Sequence, residues 1–367
     1  MVNKKSNPLY LVAGARPNFI KLAPLAWELN NRKDLPFQIV HTGQHYDHAM
    51  SQAFFDVLDI PEPEINLEVG SGEQSLQTAR ILERFDQLIA EKPPQAVVVF
   101  GDVNSTLACS LAAAKRLIPI VHVEAGLRSF DRSMPEEVNR LVTDALSDLL
   151  LVSENSGLVH LKHEGIADEK VRLVGNIMID SLVRMRPKAL ERQTARRLGL
   201  KPSGYALLTL HRPSNVDEPE TLMRLLKLFG ELSRELTIVF SVHPRTKKQM
   251  ELLGYEAPSR LLLLEPVDYL DSLCLQMQAK MVLTDSGGIQ EETSFLRIPC
   301  LTLRANTERP VTVELGTSTI VGNDDARIRE VFKQVLAGKY KKGQPIPLWD
   351  GHTAERVADS LYGMIKN

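Results

Sequence analysis

The sequence predicts an α/β protein built from two doubly wound, Rossmann-like parallel-sheet halves, and three observations carry that prediction. Short β-branched or leucine-rich runs recur along the chain, helix-length stretches separate them, and the alternation breaks once, at residues 183–203. Apolar runs without polar alternation fit strands buried on both faces, as in a parallel sheet covered by helices. At 367 residues the chain exceeds the size at which one core usually keeps growing, so two domains are expected.

In the first half the runs are residues 8–13 (PLYLVA), 37–42 (FQIVHT), 95–101 (QAVVVFG), 118–123 (IPIVHV), 148–152 (DLLLV) and 171–174 (VRLV). The stretch VRMRPKALERQTARRLGLKPS at 183–203 is polar, basic and punctuated by Pro187, Gly199 and Pro202, which makes it the hinge candidate between a domain of residues 1–180 and one of residues 181–352. The second series is 205–210 (YALLTL), 237–242 (TIVFSV), 260–264 (RLLLL), 280–284 (KMVLT), 298–303 (IPCLTL) and 318–321 (STIV).

Composition narrows the function. The chain is 43% hydrophobic and 25% charged with a formal net charge of −2, an ordinary globular balance with no sign of a nucleic-acid or membrane surface. Cys109, Cys274 and Cys300 are widely spaced and form no CxxC pair, which fits buried thiols in a reducing compartment. The N-terminal MVNKKSNPLYLVAG has neither a signal-peptide pattern nor a spanning length, so a cytoplasmic location is expected.

In doubly wound folds ligands sit beyond the carboxyl ends of the strands. There the chain places Gly14-Ala15-Arg16, Gly101-Asp102 and Glu124-Ala125-Gly126, then His211-Arg212, His243-Pro244-Arg245 and Asp285-Ser286-Gly287-Gly288. In TDSGGIQEE (284–292) the turn precedes a helical pattern, so its first amides lack partners and meet the positive end of the dipole, an anion site. Ser286 adds a hydroxyl, Gly287 and Gly288 let the backbone approach phosphate oxygens, and Glu292 suits ribose hydroxyls; the plain alternative is a Gly-rich turn with a Ser cap. GARPNFIK (14–21) brings Arg16 and Lys21 to a second strand-to-helix turn.

The densest polar cluster, VFGDVNSTLA with HVEAGLRSFDRSMPEEVNR, offers Asp102, His122, Glu124, Arg128, Asp131, Glu136, Glu137 and Arg140, of which Asp102 and Glu124, each just beyond an apolar strand, are the favoured pair. Carboxylates at the ends of buried strands suit acid or base work, and partnership with the arginines is the structural alternative. His211 and His243, each joined to an arginine, point to a phosphate pocket that includes Arg245. No GxGxxG fingerprint and no metal-ligand spacing such as HExxH appears, so neither a redox cofactor nor a metal is expected.

These blocks, GARPNFIK, HTGQHYD, GDVNSTLA, HVEAGLRSFDRSMPEE, GNIMID, LHRPSNVD, DSGGIQEE and TERP, resemble in content and order those of the bacterial non-hydrolysing UDP-N-acetylglucosamine 2-epimerases, nearly end to end. The resemblance implies the GT-B fold, two Rossmann-like domains facing a cleft, with the tail 353–367 packing back on the first domain and with homodimers typical. It implies UDP and UDP-GlcNAc as ligands, interconversion of UDP-GlcNAc and UDP-ManNAc for surface polysaccharide precursors, and no cofactor. Arg16, His211, Ser286, Gly287, Gly288 and Glu292 match positions that hold UDP, and Lys21 and Arg309 line the same cleft. Asp102, Glu124 and Glu136 match the catalytic acids, with His211 counted among the catalytic candidates. Gln44 and His45 fall in a region tied to an allosteric second UDP-GlcNAc, where some bacterial members have QHREM. Two departures are this Gln44-His45-Tyr46-Asp47 and Ser214 in HRPSN.

Overall fold

A computed structural model describes residues 7–43 and 54–366; Gln44 and His45, the allosteric candidates, lie outside the described residues. The chain divides into two compact units, Met1–Ser181 with Pro347–Asn367, and Leu182–Ile346.

The first unit holds a seven-stranded sheet of β1 (Leu9–Ala13), β2 (Phe37–His41), β3 (Ile65–Asn66), β4 (Val97–Phe100), β5 (Ile120–Ala125), β6 (Leu149–Val152) and β7 (Val171–Leu173), in the order β3-β2-β1-β4-β5-β6-β7. The second holds β8 (Tyr205–Thr209), β9 (Thr237–Ser241), β10 (Leu261–Leu264), β11 (Met281–Thr284), β12 (Cys300–Thr302) and β13 (Ser318–Ile320), in the order β10-β9-β8-β11-β12-β13. Neighbouring strands pair in parallel in both sheets, with β1 beside β4 and β8 beside β11. Strand order reverses at those two pairs, so each unit has one topological switch point where strand ends diverge and leave room for a ligand.

The twelve apolar runs each supply one strand. The strand missed in sequence, β3, is two residues long, too short to show a run. The expected hinge is instead largely helix, Ile177–Glu191 followed by Thr194–Arg197. Leu182, Met185 and Ala189 are fully buried at spacings of three and four, which keeps an apolar face through the polar stretch. Pro187 lies inside this helix on its exposed side, away from the buried face.

Both sheets are buried on two faces. In the first unit Tyr10, Val12, Phe85, Val97, Val99 and Ala112 share one cluster; in the second, Leu208, Phe229, Phe240, Leu283 and Phe332 do. The last segment belongs to the first unit. Trp349 Nε1 donates to the Ser153 carbonyl at 3.1 Å, and the Ala354 amide donates to Asp180 at 2.7 Å at the start of the helix Thr353–Lys366.

Candidate active site

In the first unit the switch point is built on backbone that other residues resist. Gly101 (φ 65°), Glu124 (φ 74°) and Gly126 (φ 80°) are all left-handed, and the β5–β6 register shifts between Val123 and Ala125. A bulge of this kind re-aims the side chain it carries. Glu124, buried, is thereby directed to Lys21, whose Nζ donates to its Oε2. Lys21 comes from the helix Arg16–Arg32, whose start is set by Asn18: its Oδ1 accepts from the Ala15 amide at 3.2 Å and its Nδ2 donates to the Phe100 carbonyl at 2.7 Å. A side chain on Gly101 would put a Cβ 2.9 Å from Lys21 Nζ and 3.1 Å from Glu124 Oε2, so the pair fills the space beside that glycine. Removing Glu124 takes from the buried Lys21 charge the carboxylate that holds it, and breaking a buried pair in this way costs about 3–5 kcal/mol.

Asp102 is the more open carboxylate, with its side chain 24% exposed. Arg140 Nη1 donates to its Oδ2 at 2.5 Å, and Asn139 Nδ2 donates to its carbonyl at 2.9 Å. Both come from the helix Pro135–Leu146. Arg140 also donates to Glu137 at 2.6 Å. Burial works to raise the Glu137 carboxyl, but the Ser129 and Phe130 amides and Arg140 outweigh it and hold the group below its ordinary range. Glu136 is half-buried, one turn before Asn139 and Arg140 on the same helix face. The neighbouring glutamates thus divide: Glu137 is a buried strut, while Glu136 keeps some exposure.

In the second unit the switch point centres on a carboxylate that sequence reasoning left out of the site. Asp285, fully buried, accepts from the His211 amide at 3.0 Å, the Arg212 amide at 2.9 Å and Asn215 Nδ2 at 3.1 Å, and lies 2.9 Å from His211 Nδ1. Burial favours the neutral acid, but His211, Arg212 and Asn215 prevail and hold Asp285 below the ordinary carboxylate value. The residue after β11 therefore ties down the residues after β8. The His211 side chain is 40% exposed, and its ring centroid is 5.8 Å from that of His243, the cap residue of the helix Pro244–Leu252. Burial, then His211 and Arg245, lower the His243 pKa against Asp285.

Ser286 caps the helix Gly287–Leu296 by position, without a side-chain hydrogen bond to its amides. Beside the first turn, a Cβ on Gly287 would come 2.8 Å from Arg309 Nη1 and 3.0 Å from Glu308 Oε1, so the glycine makes room for an ion-pair cluster. Glu308 accepts from Arg304 at 2.6 Å and Arg309 at 2.5 Å. Despite burial, Arg309, Arg304 and Arg212 hold its carboxyl far below the usual range. Glu292 is buried and accepts from Gln276 at 2.8 Å; burial raises its carboxyl against the bond from Gln276.

Asp102, Glu124, Lys21 and Glu136 thus gather at the first switch point, and His211, His243, Ser286, Gly287, Gly288 and Arg309 at the second. Arg16 begins its helix exposed, and Arg245 is engaged with Asp217, Nε to Oδ1 at 2.8 Å. Asp285 went unnoticed as an organiser because its partners His211, Arg212 and Asn215 lie 70–74 residues away, although it stands directly after an apolar strand; the partners of Glu308, Arg304 and Arg309, are its near neighbours in sequence. Among the described residues no cluster of histidine, cysteine, aspartate or glutamate is placed to hold a metal ion, and no helix is long and apolar enough to cross a membrane.

The chain is thus an α/β protein of two doubly wound parallel-sheet units, one with carboxylates and the other with a helix N-terminus and histidines at its switch point. The family model for UDP-N-acetylglucosamine 2-epimerase matches residues 27–362. The UDP-N-acetylglucosamine 2-epimerase of Methanocaldococcus jannaschii is 38% identical over 97% of this chain and 99% of its own. Its crystal structure in complex with UDP-GlcNAc and UDP superposes with a TM-score of 0.90, again covering 97% of this chain and 99% of that one at 38% identity. The UDP-2,3-diacetamido-2,3-dideoxy-D-glucuronate 2-epimerase of Pseudomonas aeruginosa is 37% identical over 95% of this chain and 98% of its own. The chain belongs to the UDP-N-acetylglucosamine 2-epimerase family, a family of isomerases.

Proposed function

We propose that this enzyme interconverts UDP-GlcNAc and UDP-ManNAc, by eliminating UDP across C1–C2 to 2-acetamidoglucal and adding it back. The observation that carries the reading is the pairing of chemistries within one chain: strand-end carboxylates in the first unit, and in the second a helix N-terminus with His211 suited to a diphosphate. The hydrogen at C2 is not next to a carbonyl, so direct deprotonation to a stable carbanion is unavailable. Elimination avoids the problem, because the C2–H bonding pair forms the C1–C2 double bond as UDP leaves with the C1–O pair.

This route needs a base and an acid on the sugar and a firm hold on the leaving group. Asp102, with Glu124 or Glu136, supplies the first; Ser286, the amides at Gly287 and Gly288, His211 and Arg309 supply the second, with Arg16, Lys21, His243 and Arg245 as further binding candidates and Glu292 for the ribose. Charge grows on the diphosphate as the bond breaks, so preorganised donors there stabilise the transition state. The three cysteines are free and buried, which suits a reducing cytoplasmic setting; we take the working form as a homodimer, checked by its mass in solution.

The similarity to the P. aeruginosa enzyme favours a second reading, a related UDP-2-acetamido uronate as substrate. NMR of the sugar in D₂O separates the cases. Deuterium at C2 with UDP-ManNAc appearing supports the first; exchange with the uronate alone moves the function to the second. UDP with free sugar indicates hydrolysis, UDP release only with an added acceptor indicates a glycosyltransferase, and absence of turnover with either sugar overturns the epimerase reading.

A further inference from the structure

Behind the carboxylates of the first unit lies a buried charge chain to which the proposed reaction gives no task. His122, on β5 two residues before Glu124, is fully buried. Its Nε2 lies 2.8 Å from the Gly101 carbonyl oxygen and its Nδ1 2.6 Å from Asp144 Oδ1. Asp144, also fully buried, accepts at Oδ2 from the Gly126 amide at 3.0 Å and meets Arg128 Nη2 at 2.7 Å. Arg128 is closed by a two-point pairing with Glu164, at 2.7 and 2.6 Å.

The two ends of this chain land on particular peptides. Gly101 directly precedes Asp102, and Gly126 lies two residues after Glu124. Both are left-handed, and Gly126 follows directly on the β5 bulge. Glu124, between them, is the non-glycine held at positive φ (74°), a conformation that persists only where its surroundings over-determine it. One carboxylate–imidazole pair thereby bonds to both strand ends that carry Asp102 and Glu124. A core needing only apolar filling at position 122 has no use for a histidine bonded at both nitrogens, nor for a fully buried aspartate behind it.

We propose that Asp144 and His122 are positioning residues for the epimerisation, fixing the separation of the Asp102 and Glu124 carboxylates without touching the sugar. The inference rests on reading those two carboxylates as the acid–base groups. Displacements of about 1 Å in a reacting constellation cost on the order of 100-fold in rate.

The test compares Asp144→Asn, His122→Gln and His122→Leu with wild type for kcat, KM, calorimetric UDP affinity and melting temperature. Asp144→Asn is expected to lower kcat about 10–100-fold, with KM and UDP affinity within about threefold. His122→Gln, which keeps a donor for the Gly101 carbonyl, is expected to recover part of the kcat that His122→Leu loses. If Asp144→Asn fails to fold, the two His122 variants carry the comparison. Wild-type kcat per folded molecule in the variants, or equal losses in kcat and UDP affinity, overturns the positioning role. Absence of C2 exchange in wild type itself overturns the epimerase reading instead, so the two failures are separable.

Discussion

The two units share a topology and a switch point but invert the roles of charge there. In the first, buried cations hold carboxylates: Lys21 holds Glu124, and Arg140 holds the partly open Asp102. In the second, buried carboxylates hold cations and donors: Asp285 holds His211 and the amide of Arg212, and Glu308 holds Arg304 and Arg309. A carboxylate held at a strand end can take or give a proton, whereas a strut beneath a histidine and a helix N-terminus leaves positive groups to meet an anion. The difference teaches that the fold supplies the place and the sign of the buried partner sets its chemistry.

The largest effect that sharpens this contrast is expected at Asp102. Asp102→Asn keeps the shape and the contact with Arg140 but removes the basic carboxylate, and is expected to lower kcat by roughly two to four orders of magnitude, measured by C2 exchange. In the second unit Asp285→Ala strips the acceptor from His211, Arg212 and Asn215. It is expected to weaken UDP binding about tenfold by calorimetry and to lower stability by about 1–3 kcal/mol in urea unfolding. If Asp285→Ala left UDP affinity intact while Asp102→Asn abolished it, the proposed division of roles would be reversed.

A third buried carboxylate acts as a control. Asp180 accepts from the Ala354 amide; burial pushes its pKa up to about 6 from 3.8, against the bonds from Ala354 and Thr353. The folded protein therefore binds this proton more tightly than the unfolded chain. The stabilisation is complete below about pH 3.8 and is lost as the pH rises through about 6. Asp180→Asn, neutral at every pH, is expected to exceed wild type by about 1–3 kcal/mol at pH 8, with the gap shrinking toward pH 4.5 in urea titrations. The smallest effect is expected at Arg245, whose partner Asp217 is partly exposed. Arg245→Ala is expected to change stability by less than about 1 kcal/mol; a large fall in UDP affinity would show that it leaves Asp217 for the ligand.

Fold was more legible than partnership. Runs such as VVVF at Val97–Phe100 and LLLV at Leu149–Val152 declare buried strands by themselves, and TDSGG after MVLT declares a helix start. The stretch around Pro187 marks the start of the second unit, as its composition suggests, but its helix was hidden because charged residues outnumber the three buried ones that keep it helical. That the acid cluster of the first unit would pair with Arg128 and Arg140 was legible as an alternative, but which acid meets which arginine was not, since that depends on which distant strand ends the sheet order brings together. Arg140 reaches Asp102 across 38 residues and Asp285 reaches His211 across 74. Likewise, nothing local separates Glu136 from Glu137, yet the helix register buries only the second.

The most direct test follows solvent deuterium into C2 of UDP-GlcNAc for wild type and Asp102→Asn, side by side, at saturating substrate. Wild type is expected to label C2 of both UDP-GlcNAc and UDP-ManNAc, and Asp102→Asn to bind UDP with near-normal affinity while exchanging about 100-fold more slowly or less. Exchange by Asp102→Asn at the wild-type rate would contradict the assignment of proton transfer to the first unit.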